Sequence, residues 1–233
     1  MKGVSDLDRF PQPAVAVDLA ILTVTDAGGP DPELRVLTLR RSDPDGWALP
    51  GAFLRERTTV ARTADHVLRE KVGITPHATI RPRLLRLFDD PDRDDRTWAV
   101  SVAHALPLPE SALRGARGRL AGVTAGGGLD GVGPLLFDHD AIVDAAIRDV
   151  RERYEIRLRY VDVGPDPDGF LPEPFTLHQL RRVHEAVIGA ELHKDNFARR
   201  MKPHLEPVRG DDGEPALATA PRGRPAALYR RAR

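Results

Sequence analysis

The side chains of this sequence that are best suited to binding an anion are arginines. Arg40 and Arg41 stand together at the end of a predicted strand, and Arg93 lies in an acidic turn further along. A guanidinium group donates paired N–H groups whose spacing fits the oxygens of a phosphate. The three arginines therefore predict a phosphate clamp, and solvated surface charges are an equally good interpretation of them.

A second group of basic and amide side chains lies near the C-terminal end of the sequence. Asn196 precedes Arg200 by about one turn of a predicted helix, and Arg222 and Arg224 stand in a compact turn before Pro225. Such side chains bind base edges and phosphates. We predict that seven residues contact DNA: Lys194, Asn196, Arg199, Arg200, Lys202, Arg222 and Arg224. A solvated helix face is the alternative for the arginine pair.

Residues for metal binding or nucleophilic catalysis are scarce. The sequence has no cysteine, which excludes disulfides, thiolate metal sites and cysteine nucleophiles. Its histidines form no His-x-x-x-His pair beside a glutamate on a recognisable helix, so the pattern of a zinc protease is absent. Glu70 is a lone acid on its predicted helix, and one carboxylate is too few for a dedicated metal site. We expect no metal and no cofactor.

The elements that would position these residues begin with a predicted hairpin. Residues 14–25 and 34–39 are rich in Val, Ile and Leu, and the turn between them contains glycines and prolines. Hydrophobic periodicity then predicts a helix, two strands and a second helix, at 59–72, 83–88, 97–106 and 139–152. The glycine-rich stretch 120–133 lacks the phosphate-loop motifs, which favours a flexible loop.

A helix-turn-helix pattern follows a junction rich in proline and glycine at 160–174. Thr176 and Gln179 match a capping box at the start of a helix that Gly189 ends. A second, short helix is predicted at 194–202. Two strands of a β-hairpin wing are predicted at 216–218 and 226–229.

The charge of the sequence is balanced overall but not along its length. Residues 170–233 contain 12 Lys and Arg against 8 Asp and Glu, so acidic residues are in excess in the rest of the sequence. A basic end segment favours a polyanion such as nucleic acid. No apolar run approaches the roughly 18–20 residues that a membrane-spanning helix needs, and the first residues lack an apolar signal core. We expect a cytoplasmic protein without membrane contact.

The segment from Trp47 to Phe53 and the helix after it resemble a Nudix box that ends at Gly73 and Ile74. Counted back from that end, the positions of the family pattern hold Ala52 for the first glycine, Thr58 for the first glutamate, His66 and Val67 for Arg-Glu, and Glu70 and Lys71 for Glu-Glu. Nudix hydrolysis needs clustered carboxylates that hold divalent cations. Only Glu70 is left, beside an ammonium that repels cations, so we expect no catalytic residues and no enzyme activity.

Further motifs resemble those of Nudix-related transcriptional regulators. They are Phe88-Asp89-Asp90-Pro91-Asp92-Arg93-Asp94-Asp95-Arg96, Phe137-Asp138-His139, Lys194-Asp195-Asn196-Phe197, and Gly223-Arg224-Pro225 before Leu228-Tyr229. The resemblance covers nearly the whole sequence. It implies an α+β fold, in which a Nudix-like α/β/α sandwich with a mixed sheet is followed by a winged helix-turn-helix. We expect the Nudix-like effector-binding and dimerisation domain at 1–162, a linker at 163–174 and the DNA-binding domain at 175–233.

The resemblance also implies how the two domains work together. A homodimer would bind double-stranded operator DNA as a repressor, and would release it when the Nudix-like domain binds a nucleotide-type effector. In the best-known members of the family the effector is ADP-ribose and the targets are genes of NAD metabolism. We assign effector binding to eight residues: Arg40, Arg41, Phe53, Phe88, Arg93, Asp94, Asp138 and His139. For His139 a capping or core role is the alternative.

Two other functions stay open at this point. The first is a Nudix pyrophosphohydrolase with an accessory DNA-binding domain, which would use Glu70 and carboxylates of the acidic turn: Asp89, Asp90, Asp92, Asp94 or Asp95. The second is a regulator whose Nudix-like domain serves for dimerisation and holds no ligand.

Overall fold

A computed structural model describes residues 10–75, 81–155, 164–210, 213–218 and 225–232. The first part of the chain contains a seven-stranded mixed sheet with helices on both faces, and the last part contains two helices beside a three-stranded sheet. This architecture confirms the fold class expected from the sequence, a Nudix-like α/β/α sandwich followed by a winged helix-turn-helix.

The first sheet is built around its longest strand. Its strands are β1 (Ala14–Thr25), β2 (Glu33–Ser42), β3 (Asp45–Ala48), β4 (Gly51–Phe53), β5 (Arg83–Phe88), β6 (Ala99–Pro107) and β7 (Arg119–Gly122). The strand order is β3-β2-β1-β6-β5, β4 pairs with β1, and β7 pairs with β2. β1 and β6 are parallel, and the other pairs are antiparallel. Because β1 is central, nearly all of its side chains are buried, on both faces of the sheet.

One helix covers each face of this sheet. On one face α1 (Val60–His66) continues into a π-helical turn, Val67–Val72, and its apolar side packs against Val17, Leu19 and Ile21 of β1. On the other face α2 (His139–Tyr154) packs against the alternate residues of the same strand. The helix predicted at 59–72 is therefore present, with a change of helical type that hydrophobic periodicity does not reveal.

The glycine-rich stretch 120–133 is more ordered than the predicted flexible loop. β7 extends into it and pairs with β2, and Val123 forms an isolated bridge with Leu129. The prediction of a loop is therefore wrong at the start of this stretch, because pairing with the sheet satisfies backbone groups there despite the many glycines.

The winged-helix part contains β8 (Phe175–Thr176), α3 (Leu177–Ile188), α4 (Lys194–Met201), a 3-10 turn (Lys202–His204), β9 (Leu205–Pro207) and β10 (Leu228–Arg231). Both predicted helices are present, and the predicted wing strand 226–229 overlaps β10. The predicted wing strand 216–218 contributes only an isolated bridge between Leu217 and Ala227. Thr176 Oγ1 accepts from the Gln179 amide at 3.2 Å, and Gln179 Oε1 accepts from the Thr176 amide at 2.8 Å, which confirms the capping box. Gly189 ends α3 at φ 77°, a left-handed conformation that favours glycine.

The segment that joins the two parts is packed rather than extended. Asp166 is buried and accepts hydrogen bonds from Tyr154 Oη at 2.6 Å, from the Phe170 amide at 3.2 Å and from the Leu171 amide at 2.9 Å. The guanidinium of Arg231, on β10, also donates to this carboxylate. Phe170 and Leu171 belong to one hydrophobic core that includes residues of α2, α3 and α4. The domain boundaries proposed from the sequence stay a prediction, and the two parts share a core across them.

His184 lies inside this shared core and couples its stability to pH. Its ring is buried against Tyr154 and Phe197, with Nε2 2.7 Å from the Pro165 carbonyl oxygen. Burial lowers the pKa of His184 below its ordinary value. Between the lowered pKa of His184 in the folded chain and about pH 6.5, the unfolded chain therefore binds a proton that the folded chain does not. Folding stability decreases in this range as the pH is lowered, by at most about 1.4 kcal/mol per pH unit for this group.

We expect urea unfolding measured between pH 8 and pH 5.5 to show this loss of stability on the acid side. His184→Gln should make the profile less steep because glutamine does not titrate, while His104 and His139, whose pKa values burial also lowers, keep their contributions. The matched control is His178→Gln, which removes an exposed histidine of the same helix and should leave the slope as in the parent. An unchanged slope in His184→Gln would assign the pH dependence to other groups.

The part of the chain that the structure describes contains no helix long and apolar enough to cross a membrane.

Candidate functional site

A cleft of about 570 Å³ opens between β1, β4, α1 and the loops that precede β6 and α2. Its lining is strongly basic, and its cations are Arg41, Arg55, Arg62, Lys71, Arg93 and Arg96. Asp18 and Asp94 are the acids that line it. The predominance of cations indicates a binding site for an anion.

A buried ion-pair network forms the floor of the cleft. The guanidinium of Arg93 donates to both carboxylate oxygens of Asp138, at 2.9 and 2.6 Å, and lies 3.5 Å from Asp18 Oδ2. Ser101 donates to the same Asp18 oxygen at 2.6 Å. Gly51 pairs with Asp18 across the sheet, and a Cβ at position 51 would lie 1.9 Å from Asp18 Oδ1. Only glycine therefore lets β4 approach this carboxylate.

His139, the first residue of α2, connects the N-terminal end of this helix to the floor of the cleft. Its Nδ1 accepts a hydrogen bond from the Leu49 amide at 2.9 Å, so the ring proton is on Nε2, which lies 3.7 Å from Asp18 Oδ1. Burial lowers the pKa of His139, and the nearby Asp18 opposes this effect. The ring is therefore neutral near pH 7, and it positions the floor of the cleft without adding positive charge.

Phe137 connects the floor to the basic wall of the cleft. Its ring lies 5.5 Å from the guanidinium of Arg41, 4.6 Å from that of Arg96, and edge-on to His139 at 5.2 Å. Phe137 has φ 61°, which a bulky residue adopts only where its surroundings enforce it. Arg96 pairs with both oxygens of Asp94 and holds the pKa of that carboxyl below its ordinary value. Arg96 is thus neutralised within the protein.

Four other cations of the cleft have no such neutralising partner. Among the residues that the structure describes, no carboxylate lies within ion-pair distance of Arg41, Arg55, Arg62 or Lys71. Lys71 Nζ donates to the Gly51 carbonyl, and Arg41 Nη2 donates to the Asp43 carbonyl at 2.8 Å. Uncompensated cations on one wall fit a ligand that carries more than one negative charge, such as a diphosphate.

Carboxylates, which Nudix hydrolysis uses to hold divalent cations, are scarce among the residues that line the cleft. Lys71 brings a positive charge to the cleft at a position where the family pattern has a glutamate. The one remaining acid of the box, Glu70, is exposed and lies outside the lining. Over the described ranges the structure contains no group of three His, Asp or Glu side chains able to hold a metal ion.

The eight residues assigned to effector binding are only partly brought together. Those that line the cleft are Arg41, Phe53, Arg93, Asp94 and His139. Asp138 lies behind Arg93 and faces an adjoining pocket. Arg40 is directed away, towards Asp45 at 2.6 Å and over Trp47, and Phe88 is buried in the core beneath Arg86.

Sequence reasoning left several lining residues out of the candidate site. They are Asp18, Arg55, Arg62, Lys71, Arg96 and Phe137. Lys71 carried a usable signal, because the box register places it at a position where the family binds metal. The sequence around Asp18 gave no such signal, because a single acid in an apolar strand does not indicate which residues lie beside it in the sheet.

The exposed face of α4 holds most of the residues predicted to contact DNA. Lys194, Asn196, Arg199 and Arg200 are exposed, as is Lys202 directly after the helix. Phe197 and Met201 are buried on the opposite side, so the helix is anchored with its basic side outward. Arg199 donates to Asn196 Oδ1 at 3.0 Å. Arg222 and Arg224, predicted for the wing, lie outside the described residues.

Comparison with known proteins agrees with both parts of the architecture. Residues 169–231 match the family described as the NrtR DNA-binding winged helix domain. A curated relative, the ADPR responsive transcriptional repressor NtrR of Acinetobacter baylyi (strain ATCC 33305 / BD413 / ADP1), is 29% identical over 203 residues, which are 82% of this chain and 73% of that protein. The crystal structure of Shewanella oneidensis NrtR superposes with a TM-score of 0.68 at 25% identity, covering 94% of each chain.

The chain is similar to Nudix-related transcriptional regulators over nearly its whole length, and residues 169–231 match their DNA-binding winged helix domain. The fold is shared over nearly the whole length of the chain. The structure of Shewanella oneidensis NrtR complexed with a 27mer DNA also superposes on it. That match has a TM-score of 0.69 at 24% identity and covers 94% of this chain and 93% of the other. The resemblance expected from the sequence motifs is confirmed.

Proposed function

We propose that the chain is a transcriptional repressor that binds operator DNA through α4 and the wing, and that its cleft binds a nucleotide-type effector such as ADP-ribose. The observation that carries the proposal is the combination of two basic surfaces in one chain. One is the exposed face of α4, and the other is the cleft wall with its uncompensated cations. The proposed target genes are those of NAD metabolism.

The exposed face of α4 supports the DNA-binding half of the proposal. The winged-helix region matches a DNA-binding domain family, and α4 is its second helix, the one that enters the major groove in a helix-turn-helix. A single helix of this size makes few base contacts. A homodimer would present two such helices to an inverted repeat with half-sites separated by one DNA turn, about 34–36 Å, or a multiple of it.

The composition of the cleft supports a sensor rather than a hydrolase. The curated relative is named as an ADPR-responsive repressor, and a diphosphate fits the cations of the cleft wall. Hydrolysis would need the carboxylate cluster that this cleft lacks among its described residues. The acidic turn does not replace it, because Asp94 is neutralised by Arg96, and the other four carboxylates are outside the cleft lining: Asp89, Asp90, Asp92 and Asp95.

Direct contacts between the two parts provide a route for communication. Gln179 Nε2, on α3, donates to the Gly28 carbonyl between β1 and β2 at 2.7 Å. Arg151 Nε, on α2, donates to the Val187 carbonyl of α3 at 3.1 Å. His139 begins the same α2 at the floor of the cleft. A shift of α2 caused by a ligand would therefore reach α3 and change the spacing of the recognition helices in a dimer.

The deciding experiment measures the affinity for DNA with and without ADP-ribose. DNA selected by the full-length protein from a random pool should contain an inverted repeat. ADP-ribose should weaken binding to it by about 5- to 150-fold, and saturating DNA should weaken ADP-ribose binding by the same factor. If neither ligand changes the affinity for the other, the Nudix-like domain serves for dimerisation only. Magnesium-dependent turnover of ADP-ribose at about 1 per second or faster would establish the hydrolase alternative.

Arginine variants provide the internal control for the DNA surface. Arg200→Ala should cost about 1–3 kcal/mol of DNA-binding free energy and relax base preference. Arg114→Ala removes the same charge from an exposed loop outside the winged helix and should bind DNA as the parent does. Equal binding by both variants would exclude α4 as the recognition helix.

A further inference from the structure

Lys71 is the most unusual residue of the cleft. It stands in the π-helical turn and is half-buried, and its Nζ reaches the Gly51 carbonyl on β4, next to the floor residue Asp18. The carbonyl uses one of the three N–H donors of the ammonium. Lys71 also lines an adjoining recess of about 540 Å³, together with Arg41, so both cations border two open spaces.

Arg41 lies beside Lys71 and is also incompletely satisfied. Its Nε is buried and has no hydrogen-bond partner. Burial lowers the pKa of the Lys71 ammonium, and the neighbouring Arg41 lowers it further, while Asp18 opposes them. Two like charges that are partly withdrawn from water destabilise each other until an anion compensates them.

Lys71 and Arg41 lie where a Nudix hydrolase would hold its divalent cations. In a Nudix hydrolase, carboxylates hold divalent cations, and those cations neutralise the diphosphate. Here the protein supplies the positive charge itself, because Lys71 replaces one of those carboxylates and Arg41 lies within its electrostatic range. A metal ion would be repelled from the same place.

We propose that Lys71 and Arg41 bind the diphosphate of the effector directly, as a built-in replacement for divalent metal, so that ligand binding needs no metal ion. The inference rests on the proposed function, in which this cleft holds a nucleotide-type ligand. It adds two residues with a defined role and a requirement that distinguishes this cleft from a catalytic one.

The test measures binding to the full-length protein by calorimetry, once in EDTA and once in magnesium. The probes are ADP-ribose, and inorganic pyrophosphate, which carries the diphosphate alone. The affinity for ADP-ribose should be the same in both buffers, whereas pyrophosphate binding is compared between variants in EDTA only, because magnesium complexes free pyrophosphate. Lys71→Met keeps the length of the side chain and removes its charge, and it should weaken both probes by about 10- to 100-fold, the effect of one lost charge-assisted hydrogen bond.

Arg69→Met is the matched control, because Arg69 lies in the same turn, is exposed and is not part of the cleft lining. It should bind both probes as the parent does. Thermal unfolding checks that Lys71→Met is folded, and Lys71→Gln provides a second neutral variant should methionine disturb the turn.

The outcomes separate this inference from the proposed function. If pyrophosphate binds without metal and in dependence on Lys71, but ADP-ribose does not bind, the proposed effector is wrong and the role of Lys71 and Arg41 is supported. If ADP-ribose binds only with magnesium, or binds both Lys71 variants as strongly as the parent, the proposed role of Lys71 and Arg41 is wrong and the proposed effector is supported. Failure of both probes to bind in either buffer would overturn both.

Discussion

Asp166→Ala should lower the free energy of unfolding by about 3–5 kcal/mol, the usual cost of removing one partner of a buried ion pair. The carboxylate of Asp166 accepts from the Tyr154 hydroxyl, from two backbone amides and from the Arg231 guanidinium. Alanine leaves the phenol and the two amides without this acceptor in a region closed to water, whereas Arg231 keeps Glu173 as a partner. Because burial raises the pKa of Tyr154 far above its ordinary range, the phenol keeps its proton and cannot relieve the loss.

Urea unfolding measures this effect, as a lower midpoint with an unchanged slope. Asp166→Asn keeps an acceptor oxygen and the volume of the side chain, so it should lose less stability than alanine. Asp65→Ala removes an exposed carboxylate of α1 and should change stability by no more than about 0.5 kcal/mol. A loss below about 1 kcal/mol in Asp166→Ala would contradict the central role given to this residue.

Arg93→Ala is expected to have the second largest effect, a loss of about 2–4 kcal/mol in the free energy of unfolding. The side chain of Arg93 is 3% exposed and neutralises Asp138 and Asp18 together. Without it two carboxylates face each other across the floor of the cleft. The estimate is below the full cost of an orphaned buried charge because Asp138 is 19% exposed and keeps some hydration.

A double variant tests whether this loss comes from the uncompensated charge. Asp18→Asn removes one of the two charges and keeps an oxygen that can accept from Ser101, so Arg93→Ala with Asp18→Asn should recover part of the stability. Denaturant unfolding of the four proteins gives the coupling energy directly. Strict additivity of the two substitutions would show that Arg93 does not stabilise the protein by neutralising Asp18, and would leave Asp138 as its partner.

Local signals in the sequence were enough to predict the principal helices and strands. Thr176, Gln179 and Gly189 fix the ends of α3 through backbone geometry that depends on neighbouring residues only. The buried and exposed sides of α4 follow in the same way from the spacing of Phe197 and Met201. The short strands β3, β4 and β7 were missed, because their formation depends on pairing with distant strands and not on their own residues.

The candidate site was harder to predict for the same reason. Asp18 and Arg93 are 75 positions apart in the sequence. They come into contact because β1 pairs with β4 and β6, and because the acidic turn that contains Arg93 lies beside Asp18. Arg40 and Arg41 are adjacent in sequence and were assigned together. They lie on opposite sides of β2, because successive side chains of a strand alternate, and only Arg41 reaches the cleft.

The order of the strands in the winged-helix sheet has a consequence for protein synthesis. β10 lies between β8 and β9 although it comes last of the three in the sequence, and Arg231 on it reaches back to Asp166. A chain that emerges from the ribosome in sequence order can pair β1 with β2 early, whereas β8 and β9 have no central strand until residues 228–231 have been made. The nascent chain thus acquires its cleft before it acquires a finished DNA-binding surface.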